Sequence, residues 1–112
     1  MRPSWVEIDL DAIEANARAI RRVAAPALLC AVVKADGYGH GDVPVAEAAI
    51  AGGADWLAVA LVEEGARLRD AGINVPILLL SEPVDGSAGA VIDLRMRPTV
   101  YRPGFVDAMA AA

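Results

Sequence analysis

Apolar and polar positions alternate over residues 5–10, where Val6, Ile8 and Leu10 share one face and Glu7 and Asp9 the other. A period of two predicts a half-exposed strand. The period then lengthens. Ile13, Ala17, Ile20 and Ala24 recur at helical spacing, with Asp11 as the cap, Glu14 three positions on as in a capping box, and Pro26 closing the segment. From Ala27 a unit repeats. Residues 27–33 (ALLCAVV) form a short continuous apolar run, and Asp42 opens a helix through 50 that Gly52 and Gly53 end. Residues 56–60 are the next strand. A helix from Val62 follows, with Glu63 and Glu64 in its first turn and Arg67 and Arg69 near its end, an order that complements the helix dipole. Gly72 terminates it. Residues 75–80 (VPILLL) are a third strand, 85–92 a weaker helix, 97–101 a fourth strand, and Pro103 starts a last helix.

Strand and helix thus alternate four times after a leading pair. Continuous apolar strands between amphipathic helices predict an α/β fold with a parallel sheet covered by helices. Two architectures fit the spacing: a doubly wound sheet and half of an eight-stranded barrel. No linker or low-complexity stretch divides the chain. It stops in an alanine-rich helix without a cap, and a barrel of this type needs about 250 residues. The expectation is the front portion of something longer.

Composition changes this picture little. The chain has 112 residues, is 56% hydrophobic and carries a net charge of −5, which argues against nucleic acid or an anionic membrane as partner. A single cysteine points to a reducing compartment. The N-terminus has charges every few residues and no signal-peptide core, and no apolar run approaches a membrane span, so a soluble cytoplasmic protein is expected.

The candidate chemistry lies in CAVVKADGYGHGD, residues 30–42. Lys34 ends a strand, at the functional edge of the sheet in either architecture. Desolvation at the end of a buried strand disfavours the charged form of an amine, and a neutral amine is a nucleophile suited to Schiff-base chemistry. Gly37, Gly39 and Gly41 let the backbone bend and approach a ligand, and the Tyr38 hydroxyl is within reach of the same cavity. A solvated rim lysine followed by turn glycines fits the same spacing. Neither GxGxxG nor GxxxxGK[ST] is present, so this is not a standard nucleotide loop.

AVVKADGYGHG closely resembles the pyridoxal-phosphate attachment segment of the alanine racemases. WVEIDLDAIEAN resembles that family's opening strand and helix, WLAVALVEEGARLRDAGINVPILLLSEP its next two strands with the helix between, and PTVYRPG the following strand. The resemblance covers nearly the whole chain, in the family's order. It implies an N-terminal strand and helix followed by four βα units, the first half of a (β/α)8 barrel. Residues 1–112 would be a truncated N-terminal part, without the rest of the barrel or the C-terminal β domain. It implies pyridoxal 5′-phosphate at the barrel mouth. Lys34 would be the Schiff-base lysine and then the base on the face toward D-alanine, with Tyr38 hydrogen-bonded to the cofactor phosphate. The implied activity is interconversion of L- and D-alanine for peptidoglycan, in a cytoplasmic homodimer. The second base is in that family a tyrosine from the partner's β domain. It has no counterpart here, nor do the arginine facing the pyridine nitrogen, most of the phosphate site and the substrate arginine. Tyr101 is no substitute. The isolated chain is therefore expected to be inactive.

Other readings remain at this point: a racemase of another or broader amino-acid range, a non-catalytic pyridoxal-phosphate-binding module, and an inactive fragment. His40 with Cys30 makes no metal-ligand set. His40 is expected to hydrogen-bond within its loop, Cys30 to be a small core residue, Trp5 and Trp56 to pack in the core or at its edge, and Arg95 and Arg97 to be solvated.

Overall fold

A computed structural model describes residues 2–112. Four strands, β1 (Cys30–Val32), β2 (Trp56–Val59), β3 (Ile77–Leu79) and β4 (Met96–Pro98), lie side by side in chain order, and every pair is parallel. The register aligns Val32 with Ala58, Ala58 with Leu78, and Leu78 with Arg97. A doubly wound sheet reverses its strand order part-way, whereas strands that advance one place at a time trace the arc of a barrel. The order therefore selects the second of the two architectures that spacing left open. The helices are α1 (Leu10–Ala24), α3 (Asp42–Ala51), α4 (Val62–Asp70), α5 (Ala88–Asp93) and α6 (Pro103–Ala111), and a five-residue turn, α2 (Lys34–Tyr38), follows β1. No helix among the described residues is long and apolar enough to cross a membrane.

The core occupies one face of the sheet. Val33, Leu57, Val59, Ile77, Leu79 and Met96 point toward the helices and pack with Ala46, Leu68 and Val91. Residues on the alternate positions face the open side, where Val32 is 38% and Leu80 41% exposed. Burial on both faces, expected for β1, is not found. β1 is an edge strand with an uncovered face, so Cys30 is exposed rather than a core residue. Arg97 is not merely solvated, because its guanidinium lies over the Trp56 ring at 5.3 Å on that same face.

The leading strand is a second correction. Residues 5–10 pair with none of the four strands, and Trp5 and Val6 are 73% and 82% exposed. Their alternation describes a face with nothing to cover it in this chain, and an unpaired strand has no ladder to hold it. The helix starts at Leu10, and Asp9 rather than Asp11 is its cap, accepting from the Ala12 N–H at 3.0 Å. Glu14 closes no capping box; it pairs with Arg18 one turn on, at 3.2 Å.

Two contacts fix the layers. Arg69 donates to the carbonyls of Ile73, Val75 and Leu94 at 2.8 Å and of Arg95 at 3.1 Å, joining the chain ahead of β3 to the chain ahead of β4. Gly52 ends α3, as its sequence position indicates, and also lets α1 sit against it. A Cβ there would fall 2.4 Å from the Glu14 carbonyl oxygen and 2.7 Å from the Ala17 Cβ.

That backbone contact has no flexible atom to yield, so Gly52→Ala should cost about 1–3 kcal/mol by overpacking. Gly89→Ala in α5, where a Cβ meets nothing within 4 Å, should be neutral or slightly stabilising. Thermal denaturation of the pair checks this: equal Tm values would show that α1 does not rest on Gly52. The 112-residue polypeptide, with the edges of β1 and β4 and one apolar sheet face uncovered, should also self-associate or bind a hydrophobic dye. Light scattering that shows a monodisperse, dye-free monomer would contradict this.

Candidate active site

Because the strands are parallel, their C-terminal ends meet on one edge. Lys34, Ala60, Glu82 and Tyr101 all lie there, each a few residues beyond its strand. Lys34 is half-buried and directly follows the fully buried Val33. It opens a turn of unusual handedness. Ala35 (φ 53°, ψ 49°), Asp36 (57°, 42°) and Gly37 (62°, 38°) are left-handed helical, and Tyr38 (φ 58°) and Gly39 (φ 83°) continue the run. The bonding is helical too, with the Gly37 N–H donating to the Val33 carbonyl at 2.9 Å and the Gly39 N–H to the Ala35 carbonyl at 3.0 Å. A left-handed residue other than glycine costs roughly 1–2 kcal/mol. Three of the five carry that cost, so the glycine loop read from the sequence is a wound, strained turn.

What holds it is polar. Glu64, from the first turn of α4, accepts the Ala35 N–H at 2.6 Å and the N–H groups of Ala60 and Leu61 at 2.9 and 2.8 Å. Asp36 accepts the Asp42 N–H at 3.0 Å. Arg67 reaches from the next turn of α4 to Asp42 at 2.7 Å and Asp36 at 3.4 Å. Asp42 is the first residue of α3, with Gly41 in the cap position before it, and the Asp42 side chain is only 10% exposed. Gly37 is buried against Asp42 and Val45, where a Cβ would stand 3.4 Å from each.

The turn carries both residues singled out in the sequence. Lys34 is at its start, and Tyr38 is at its end with 59% exposure; the Tyr38 phenol makes no hydrogen bond among the described residues. His40 stays within the loop as expected, its Nδ1 3.1 Å from the Tyr38 carbonyl, which can only accept. No group of three or more His, Cys, Asp and Glu among the described residues is arranged to hold a metal ion. Glu64, Arg67, Asp36 and Asp42 were not visible as site residues. Glu64 and Arg67 read as ordinary helix-end charges, and only the fold brings them to the turn.

A second tie lies further along the edge. The Glu82 side chain, 2% exposed, accepts the N–H groups of Tyr101 at 2.7 Å and Arg102 at 2.9 Å and pairs with the Arg102 guanidinium. The Tyr101 hydroxyl in turn accepts the Glu82 N–H at 2.9 Å.

Comparison with known proteins agrees with this geometry. The family model described as "Alanine racemase, N-terminal domain" matches residues 8–112. The chain belongs to the alanine racemase family. It is 54% identical over 101 residues to the alanine racemase of Symbiobacterium thermophilum, covering 90% of this chain and 27% of that protein. It is 44% identical over 112 residues to that of Desulfovibrio desulfuricans, covering 99% and 30%. The crystal structure of the Bacillus anthracis alanine racemase with bound L-Ala-P superposes with a TM-score of 0.88 at 38% identity, over 99% of this chain and 29% of that one. The chain thus spans under a third of the length of these racemases, and the part it matches is their N-terminal α/β barrel portion.

In this racemase-family chain the Glu82 tie has a pH signature. Burial pushes the Glu82 carboxyl up, but the Tyr101 N–H, the Arg102 guanidinium and the Arg102 N–H together outweigh it and hold the group below the usual carboxylate range. A carboxyl depressed in the folded state stabilises above its unfolded value of about 4.3, and that contribution is lost as pH falls through the lower folded value. Stability should therefore fall below about pH 4.3, and Glu82→Gln should be less stable at neutral pH and flatter across the acid range. Denaturant titrations of both proteins from neutral to acid pH would test this; parallel curves would remove Glu82 as the cause.

Proposed function

We propose that this chain supplies the lysine side of a pyridoxal-phosphate-dependent racemase that interconverts L- and D-alanine. The observation that carries the reading is the placement of Lys34 and Tyr38 at the two ends of one left-handed turn on the C-terminal edge of a racemase-family sheet. Lys34 is also the sequence's only lysine.

The donor set suits the cofactor. An amine meets an aldehyde, and an exposed phenol without a partner among the described residues is a donor for a phosphate oxygen. When bound, pyridoxal phosphate supplies an electron sink for the carbanion formed at the amino acid's α-carbon. The protein's part is to attach and orient. Lys34 would hold the aldehyde end through its nitrogen, and its amine would be the base for the substrate's α-proton on one face. Tyr38 anchors the phosphate. A base for the opposite face comes from outside these 112 residues, by family likeness from a partner subunit of a homodimer. The 112-residue polypeptide alone should therefore show no appreciable turnover. Alanine as substrate rests on the relatives, which are named alanine racemases. A cytoplasmic enzyme providing D-alanine for peptidoglycan is the role that follows.

Incubation with pyridoxal phosphate and trapping with borohydride should label the peptide containing Lys34. Lys34→Ala should abolish that label. Tyr38→Phe should keep it and weaken cofactor affinity by about 1.5–3 kcal/mol, the worth of a hydrogen bond to a charged acceptor. Label confined to the N-terminal amine would defeat the assignment.

A further inference from the structure

Glu64 does two things with one carboxylate. Its Oε1 accepts the N–H groups of Ala60 and Leu61, as a glutamate three residues into a helix commonly does. Its Oε2 crosses to the Ala35 N–H at 2.6 Å, the first left-handed residue after Lys34. Arg67, one turn along the same helix, makes a parallel crossing to Asp42 and Asp36. So α4, which carries no reacting group, grips the turn from two places. Left-handed non-glycine backbone persists only where its surroundings over-determine it.

We propose that Glu64 is a positioning residue. Through the Ala35 N–H it fixes the turn, and with it the placement of the Lys34 amine relative to the Tyr38 hydroxyl, so that the aldehyde and phosphate ends of one ligand are met together. The inference rests on the reading of Lys34 and Tyr38 as the residues that hold pyridoxal phosphate.

Glutamine isolates the crossing. An amide has one acceptor oxygen, and Glu64 serves three N–H donors with two. If the Gln oxygen stays with Ala60 and Leu61, its NH2 faces the Ala35 N–H, donor to donor. Glu64→Gln therefore keeps the start of α4 and releases the turn. Glu63→Gln, at the exposed neighbouring position, is the control.

Two measurements on the full chain test this. The first is the rate of borohydride-trapped labelling at Lys34 by pyridoxal phosphate and by 5′-deoxypyridoxal, which lacks the phosphate and also the hydroxyl through which pyridoxal masks its own aldehyde. The second is backbone hydrogen exchange. The unaltered protein and Glu63→Gln should label at least tenfold faster with the phosphate-bearing aldehyde. In Glu64→Gln that preference should collapse toward unity, with 5′-deoxypyridoxal labelling unchanged. Exchange at residues 35–41 should rise at least tenfold while β2 and α4 stay protected. Arg67→Met should move both readouts the same way to a smaller extent. Retained preference in Glu64→Gln, or unaltered exchange at 35–41, would overturn the proposal. Exchange raised equally through α4 and β2 would reduce Glu64 to a structural residue. If the unaltered protein itself shows no preference for the phosphate, the cofactor reading fails, and exchange at 35–41 alone decides whether Glu64 sets the turn.

Discussion

Parallel pairing in strict chain order is the constraint from which the site follows. Each strand must be reached by a crossover helix, so every strand enters from the same edge and every loop that leads into a helix leaves from the other. Lys34, Leu61 just ahead of α4, Glu82 and Tyr101 are far apart in sequence, yet the pairing collects them on one rim. The apolar alternation of Leu57, Val59, Ile77 and Leu79 against the helices supplies the cohesion. It leaves the rim free to carry polar and strained features that a core would not tolerate.

The left-handed turn shows how such strain is supported. Gly37 and Gly39 enter that backbone region readily, but Ala35, Asp36 and Tyr38 do not. Their cost is offset by charge-assisted hydrogen bonds that backbone N–H groups donate to carboxylates, each stronger than a neutral one. Glu64 and Asp36 accept directly, while Arg67 links Asp36 to Asp42 and ties the turn to the start of α3. The geometry is thus set largely by α4 of the next βα unit, together with Asp36 and Asp42 on either side of the glycines.

Much of the fold was legible because local pattern and global fold agree. The five helices beyond the turn and the four sheet strands fall where the apolar periods place them, within a few residues at each end. The leading strand was misread because alternation at Val6, Ile8 and Leu10 reports which face is apolar and not whether a partner exists to cover it. Cys30 was misread for a related reason: an apolar run looks the same in an edge strand as in a central one. Lys34 and Tyr38 were found through a contiguous motif. Glu64 could not be, since its link to Ala35 spans 29 positions and its spacing within α4 already had a sufficient explanation in helix capping. One signal was present and unused, namely that Lys34 has no other lysine beside it in the sequence.

Arg69 sits at the opposite rim from all this chemistry. Its four backbone carbonyls lie just ahead of β3 and β4, so one side chain cinches the entry ends of two strands without touching the exit ends. Because it binds main-chain oxygens, the side chains of Ile73, Val75, Leu94 and Arg95 can drift without weakening its grip. A lineage carrying this arrangement can vary the loops of the reactive rim while the lower rim keeps the strands gathered, which makes the scaffold evolvable at one end and conservative at the other.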